Sequence, residues 1–125
     1  MIRDLLAGTF AAALIVGAAA VFLWVMPVHA SECRGQVLTA SHYGAESGSR
    51  TADGSYFDGS QMIAAHRSWK FNTKLRVSYK GKSVVVVVRD RGPYIRGRAL
   101  DLSTAAARRI GMVKAGVAKV CVERL

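Results

Sequence analysis

Apolar and polar residues alternate along much of the second half of the chain. Leu75, Val77 and Tyr79 take turns with Arg76, Ser78 and Lys80, a period of two that predicts a strand with one wet face. Lys80-Gly81 reads as a tight turn, and Val84 to Val88 is apolar throughout. Together they predict a hairpin whose second strand is buried on both faces. Gln36 to Tyr43 alternates loosely and predicts another strand, and Met62 to Trp69 fits a short helix or a strand followed by a turn. Ala99 to Leu102 is a short apolar strand around Asp101, and Gly116 to Leu125 alternates into a closing strand. Ser103 is a good N-cap for an alanine-rich helix from Thr104 to Ile110, and Gly111 stands where that helix should stop. Gly44 to Gly59 carries four glycines among serines and aspartates, the composition of a long surface loop. Many short strands with one clear helix predict a mainly β fold, and a small closed barrel hides strand edges without a large core.

The first thirty residues follow a different pattern. Leu5 to Met26 carries no charge, and Val28-His29-Ala30 after Pro27 is a small-x-small sequence. This fits a secretory signal cleaved after Ala30. The apolar run is about 22 residues, longer than the ~7–15 of a signal core and close to the ~20 of a spanning helix. An uncleaved anchor, associated with an inner membrane through residues 5–26, is therefore the alternative. Both readings divide the chain into residues 1–30, signal or anchor, and 31–125, one exported domain.

Residues 1–30 contain one base, Arg3, and one acid, Asp4. Taking them from the 18 bases and 8 acids of the chain leaves the net charge at +10. Such a charge suits anionic partners, and export points to cell-wall polymers or lipid head groups rather than nucleic acid. Solubility alone is the plainer account. The two cysteines, Cys33 and Cys121, bracket the exported part, and an oxidising compartment favours their pairing. Free thiols or a lipid on Cys33 are the alternatives, although Ser31-Glu32 does not suit lipidation. A closed loop of that length contributes on the order of 4 kcal/mol in the chain-entropy model.

There is no CxxC, HExxH or glycine-rich phosphate loop, and no metal or cofactor is implied. The carboxylates and a few ring side chains remain. Glu46, Asp53 and Asp58 fall in the glycine-rich loop, where turns and solvation account for them. Asp90 and Asp101 each adjoin an apolar strand, with Arg89, Arg91, Arg96 and Arg98 nearby. Burial raises the pKa of such a carboxyl and those cations lower it. Asp90 reads equally as a salt bridge or turn cap, and Asp101 as a cap for the helix. His66 reads as a packed histidine or a catalytic one, and His42 is a weaker candidate. Tyr43, Tyr56 and Tyr94 suit sugar stacking or core packing.

The stretches "ASHYG" at 40–44, "RTADGSYFD" at 50–58, "IAAHRS" at 63–68, "VVVRDRGPYIRGRALDLS" at 86–103 and "AAARRIGM" at 105–112 together resemble the RlpA-like family. That family is the double-psi β-barrel of septal-ring lytic transglycosylases, with relatives among expansins, barwin-like proteins and endoglucanases. The resemblance covers residues 37–125. It implies a six-stranded barrel with one or two short helices, a glycan groove, and a monomer acting on peptidoglycan glycan strands. It implies catalytic roles for Asp101, Asp90 and His66, with Asp101 as the acid. Tyr43 and Tyr94 are candidate stacking residues, and Arg91 and Arg98 candidate partners for anionic groups. In this picture Gly92-Pro93 turns the chain so that Tyr94 faces the cleft. Ser55 departs from the pattern, because many members carry glutamate there, and a serine supplies neither acid nor base. An enzyme, a glycan-binding module without activity and a cationic membrane-active protein are the competing functions.

Overall fold

A computed structural model describes residues 32–125. The expected signal or anchor lies outside the described residues. Six strands close into one barrel: β1 (Gln36–Tyr43), β2 (Ile63–Ala65), β3 (Lys74–Tyr79), β4 (Lys82–Asp90), β5 (Leu100–Ser103) and β6 (Ala118–Arg124). Their order around the barrel is β1-β5-β2-β4-β3-β6. β1 runs parallel to β5 and β2 parallel to β4, and the other pairs are antiparallel. One helix, α1 (Thr104–Arg109), follows β5 directly. Among the described residues no helix is long and apolar enough to cross a membrane.

The local signals act where the sequence places them. Lys80 and Gly81, with φ of 46° and 84°, join Tyr79 to Lys82 across a two-residue turn. Positive φ at both positions matches the right-handed twist of the strands. Ser103 caps α1 by accepting from the Ala106 N–H at 3.1 Å. Gly111, at φ 74°, ends it: its N–H donates to Arg108, and the Met112 N–H reaches back to Ala107, the paired bonds of a Schellman stop. Met62 to Trp69 resolves into the strand β2 and a turn rather than a helix. The long loop holds one 3₁₀ turn at Ala45–Ser47, and it buries Thr51 and Phe57.

The core is the barrel interior. Leu75, Val77, Val86, Val88, Leu100, Leu102, Val120 and Val122 are buried there, and Ala106, Ala107, Ile110 and Met112 close one side. Each large side chain contributes about 1.5–3 kcal/mol by leaving water. The valine run corrects an expectation. Val84, Val86 and Val88 point inward, but Val85 is 45% exposed and Val87 only half-buried. β4 has hydrogen-bonded strands on both edges, yet a barrel has one interior, so only alternate valines enter it. Cys33 and Cys121 form a disulfide closing 88 residues, which ties the chain before β1 to β6. Gly35 makes that approach possible, since a Cβ there would overlap the Val122 carbonyl.

Candidate functional site

Strand register assembles the site from distant parts of the chain. Ser41 on β1 stands opposite Asp101 on β5, Asp101 opposite Ala65 on β2, and Ala65 opposite Asp90 on β4. A bulge makes the last pairing: Ala64 faces Val88, but Ala65 faces Asp90, so Arg89 is the extra residue. Bulges re-aim side chains at barrel rims. Here Asp90 opens on a cleft of about 280 Å³, lined also by Tyr43, Arg50, Phe57, Arg91 and Asp101.

The two carboxylates have different surroundings. Asp90 Oδ1 accepts from the backbone N–H of Ala52 at 2.9 Å and of Arg91 at 3.0 Å. Its Oδ2 accepts from the Tyr43 hydroxyl at 3.0 Å. Asp101 is half-buried, and its Oδ1 accepts from the Ser41 hydroxyl at 3.0 Å. Burial is the largest influence on Asp101 and pushes its carboxyl up to about 6. The Ser41 hydrogen bond and the charges of His42 and Arg98 pull it down, and Asp90 adds to the rise. Tyr43 is held above the ordinary tyrosine range by burial first, then by the charge and hydrogen bond of Asp90. Its ring packs on Phe57 with centroids 5.1 Å apart. Asp101 does not cap α1, since Ser103 does so.

The remaining candidates divide. Arg91 lines the cleft, but its Nη1 donates to the carbonyls of His66 at 3.1 Å and Trp69 at 2.7 Å. Its guanidinium lies 3.9 Å from the Phe71 ring centroid. It fastens the turn after β2. His66 stands in that turn. Its Nδ1 accepts from the N–H groups of Ser68 and Trp69 at 3.1 and 3.0 Å, and its ring stacks on Trp69 at 3.9 Å. Burial, then Arg67, Arg91 and Arg124, lower its pKa. A neutral ring accepting at Nδ1 carries its proton on Nε2. His66 does not line the cleft, though its backbone N–H donates to the Asp90 carbonyl. Arg98 is half-buried, and its charge reaches Asp101. Tyr94 is 75% exposed and outside the cleft lining, so Gly92-Pro93 turns it toward solvent rather than into the cleft.

Ser55 also faces away from the cleft, into a second groove. Its hydroxyl and N–H donate to Asp53 Oδ1 at 2.6 and 3.0 Å. Burial works to raise the Asp53 carboxyl, but hydrogen bonds from Ser55, Thr51 and Arg89 outweigh it and hold Asp53 well below the usual carboxylate range. Sequence reasoning missed Ser41, although it lies two residues before Tyr43 on the same strand, the spacing that puts both on one face. It also missed the Ala52 N–H, which no side-chain pattern announces. Among the described residues no group of three or more His, Cys, Asp and Glu could share a metal ion.

Comparison with known proteins identifies the family and the fold. The family model described as lytic transglycolase matches residues 35–122. The probable endolytic peptidoglycan transglycosylase RlpA of Nostoc sp. is 50% identical over 91 residues, covering 69% of this chain and 24% of the relative. The endolytic peptidoglycan transglycosylase RlpA of Pseudomonas aeruginosa is 41% identical over 100 residues, covering 78% of this chain and 29% of the relative. The chain thus spans about a quarter of the length of these relatives. The fold recurs among solved structures. The Streptomyces papain inhibitor has a TM-score of 0.61 at 23% identity, covering 72% of this chain and 93% of the inhibitor. The expansin of Clavibacter michiganensis has a TM-score of 0.58 at 22% identity, covering 72% of this chain and 50% of the expansin. With a matching family model over nearly all the described residues, the chain belongs to the RlpA-like family of double-psi β-barrel lytic transglycosylases.

Proposed function

We propose that the chain is a peptidoglycan lytic transglycosylase of the cell envelope, with Asp101 as its proton donor. The observation that carries this reading is the half-buried Asp101 carboxyl, raised to about 6 by burial and opening on the cleft. A carboxyl in that range is half protonated at about pH 6, so a usable fraction still carries a proton to donate as neutrality is approached. The relatives named as peptidoglycan transglycosylases supply the substrate class.

The chemistry needs one such group. Asp101 gives its proton to the bridging glycosidic oxygen as the bond from C1 breaks. The C6 hydroxyl of the same muramic sugar then closes on C1 and returns its proton to the Asp101 carboxylate. The product is a 1,6-anhydro end, and no water is consumed. Tethering of the nucleophile replaces the second carboxylate that hydrolysis ordinarily employs. Asp90, with donors on both oxygens, positions Tyr43 and the loop bearing Ala52 around the sugar. His66 and Arg91 hold the neighbouring turn. The disulfide is consistent with an oxidising, exported location.

Ser55 supports a second reading, a glycan-binding barrel without activity. Its hydroxyl is held by Asp53, and it cannot supply the carboxyl that the resemblance to the family implies at that place. Incubation of the purified protein with peptidoglycan sacculi, followed by mass spectrometry, separates the two. Anhydro-muropeptides are expected. Sacculus binding without products would establish the binding module instead.

A further inference from the structure

Beside the outer face of β4 lies an apolar surface at the edge of the core, where Met62 packs against the buried cluster. Val87 and Met62 are half-buried there and Tyr56 is 60% exposed. With Gln61 and Arg89 they line a groove of about 520 Å³, larger than the cleft.

The loop 50–57 and the end of β4 stand between groove and cleft. Arg50 and Phe57 border the cleft, while Ser55 and Tyr56 border the groove. The residues that follow one another on β4 divide the same way, with Arg89 in the groove and Asp90 and Arg91 in the cleft. The loop is firmly held. Arg50 and Tyr56 bridge through their backbones, Ala52 donates to Asp90, and the Asp53 N–H donates to the Arg89 carbonyl at 3.2 Å. A chain-like ligand seated in the cleft and extending past this loop meets the groove next.

We propose that the groove is a second sugar-binding subsite, which takes an uncharged stretch of the glycan strand whose scissile bond lies in the cleft. This rests on the reading of the cleft as a glycan site. Three features select such an occupant. The exposed Tyr56 ring offers a flat apolar surface for the C–H face of a pyranose, in a groove whose lining also includes the aliphatic Met62 and Val87. The Gln61 amide supplies both a donor and an acceptor for hydroxyl and acetamido groups. The charge of Arg89 is already matched by Asp53 at 3.3 Å, so the groove offers little to a peptide carboxylate or a phosphate. The occupant is therefore the sugar backbone rather than an anionic substituent.

Calorimetric titration of the protein with chitobiose and chitohexaose tests this without relying on turnover. The longer oligomer is expected to bind about tenfold more tightly, and Tyr56→Ala to remove most of that advantage while leaving chitobiose affinity unchanged. Tyr56→Phe keeps the ring and should keep the advantage. If Tyr56→Ala holds chitohexaose as tightly as the unaltered protein, the subsite is overturned while the cleft reading stands. If the unaltered protein binds neither oligomer and leaves sacculi uncut, both are overturned.

Discussion

Asp90 and Asp101 share one row of strands, but the regions around them are built oppositely. At the end of β4, Asp90 accepts from two backbone N–H groups and a tyrosine hydroxyl. In the middle of the register on β5, Asp101 accepts from Ser41 and is dominated by burial. The first arrangement spends a carboxylate on holding a loop and a ring in place. The second is raised by burial to about 6, so it stays partly protonated well above the ordinary carboxylate range. The difference separates a group that shapes the cleft from one able to do chemistry in it.

The largest expected effect breaks that comparison directly. Asp101→Asn should lower the release of anhydro-muropeptides from sacculi by about 10²–10⁴-fold, the usual span for a proton donor. Binding to sacculi should persist, because the amide fills the same space. An Asp101→Asn protein that cuts at the normal rate would reassign the proton donor. Asp90→Asn should have a smaller effect, about 10-fold, and act through the position of Tyr43. Equal losses for the two variants would erase the distinction drawn between them.

The pH profile sharpens the same contrast. Cleavage by the unaltered protein should fall as pH rises past about 6, where Asp101 loses its proton. Asp90→Asn removes one neighbour that raises Asp101, so its profile should shift toward lower pH. A profile that does not move with Asp90 would mean the two groups do not sense each other.

The unequal legibility of these regions has physical causes. Local signals reported themselves well. Lys80-Gly81, Ser103 and Gly111 act through the backbone of their own turns, so the hairpin and both ends of the helix were readable. β1 was readable as a strand although its burial runs in pairs rather than in strict alternation. The valine run was misjudged because hydrophobicity alone does not say how many faces are covered. Val85 and Val87 face outward because the barrel has one interior. The site was readable as residue types and a family pattern, but not as an arrangement. The row from Ser41 through Asp101 and Ala65 to Asp90 depends on three strand pairings and a bulge. Tyr94 was expected in the cleft and lies in solvent, since a turn signal marks a change of direction without giving its sense. Arg91 and Ser55 are spoken for by Trp69, His66 and Asp53, partners at distances only the fold defines.

Stability separates the carboxylates with opposite signs. Asp101 has a folded pKa of about 6 against an ordinary 3.8. Its contribution is full below about pH 4 and is lost as pH rises toward 6. Asp101→Asn escapes this loss. Chemical denaturation should find it more stable than the unaltered protein by about 1 kcal/mol at pH 7.5, a value discounted for the water that still reaches the group, and level with it at pH 3.5. Asp90→Ala strands the donors of Ala52, Arg91 and Tyr43, and should cost about 1–3 kcal/mol. An Asp101→Asn protein that is less stable at pH 7.5 would place Asp101 among the structural carboxylates.

Tyr43→Phe is the smallest change and the most local. It removes one donor from Asp90 while keeping the ring on Phe57. Because Asp90 retains its two backbone donors, the expected loss of stability is about 0.5–1 kcal/mol. Cleavage should fall only a few-fold. A loss as large as that of Asp101→Asn would mean that the hydroxyl itself takes part in moving the proton. The raised pKa of Tyr43 argues against that, since a phenol held so firmly neutral beside a carboxylate releases no proton in the working range. Tyr43 then belongs with Asp90 on the positioning side of the cleft, and the variant measures how much of catalysis that side supplies.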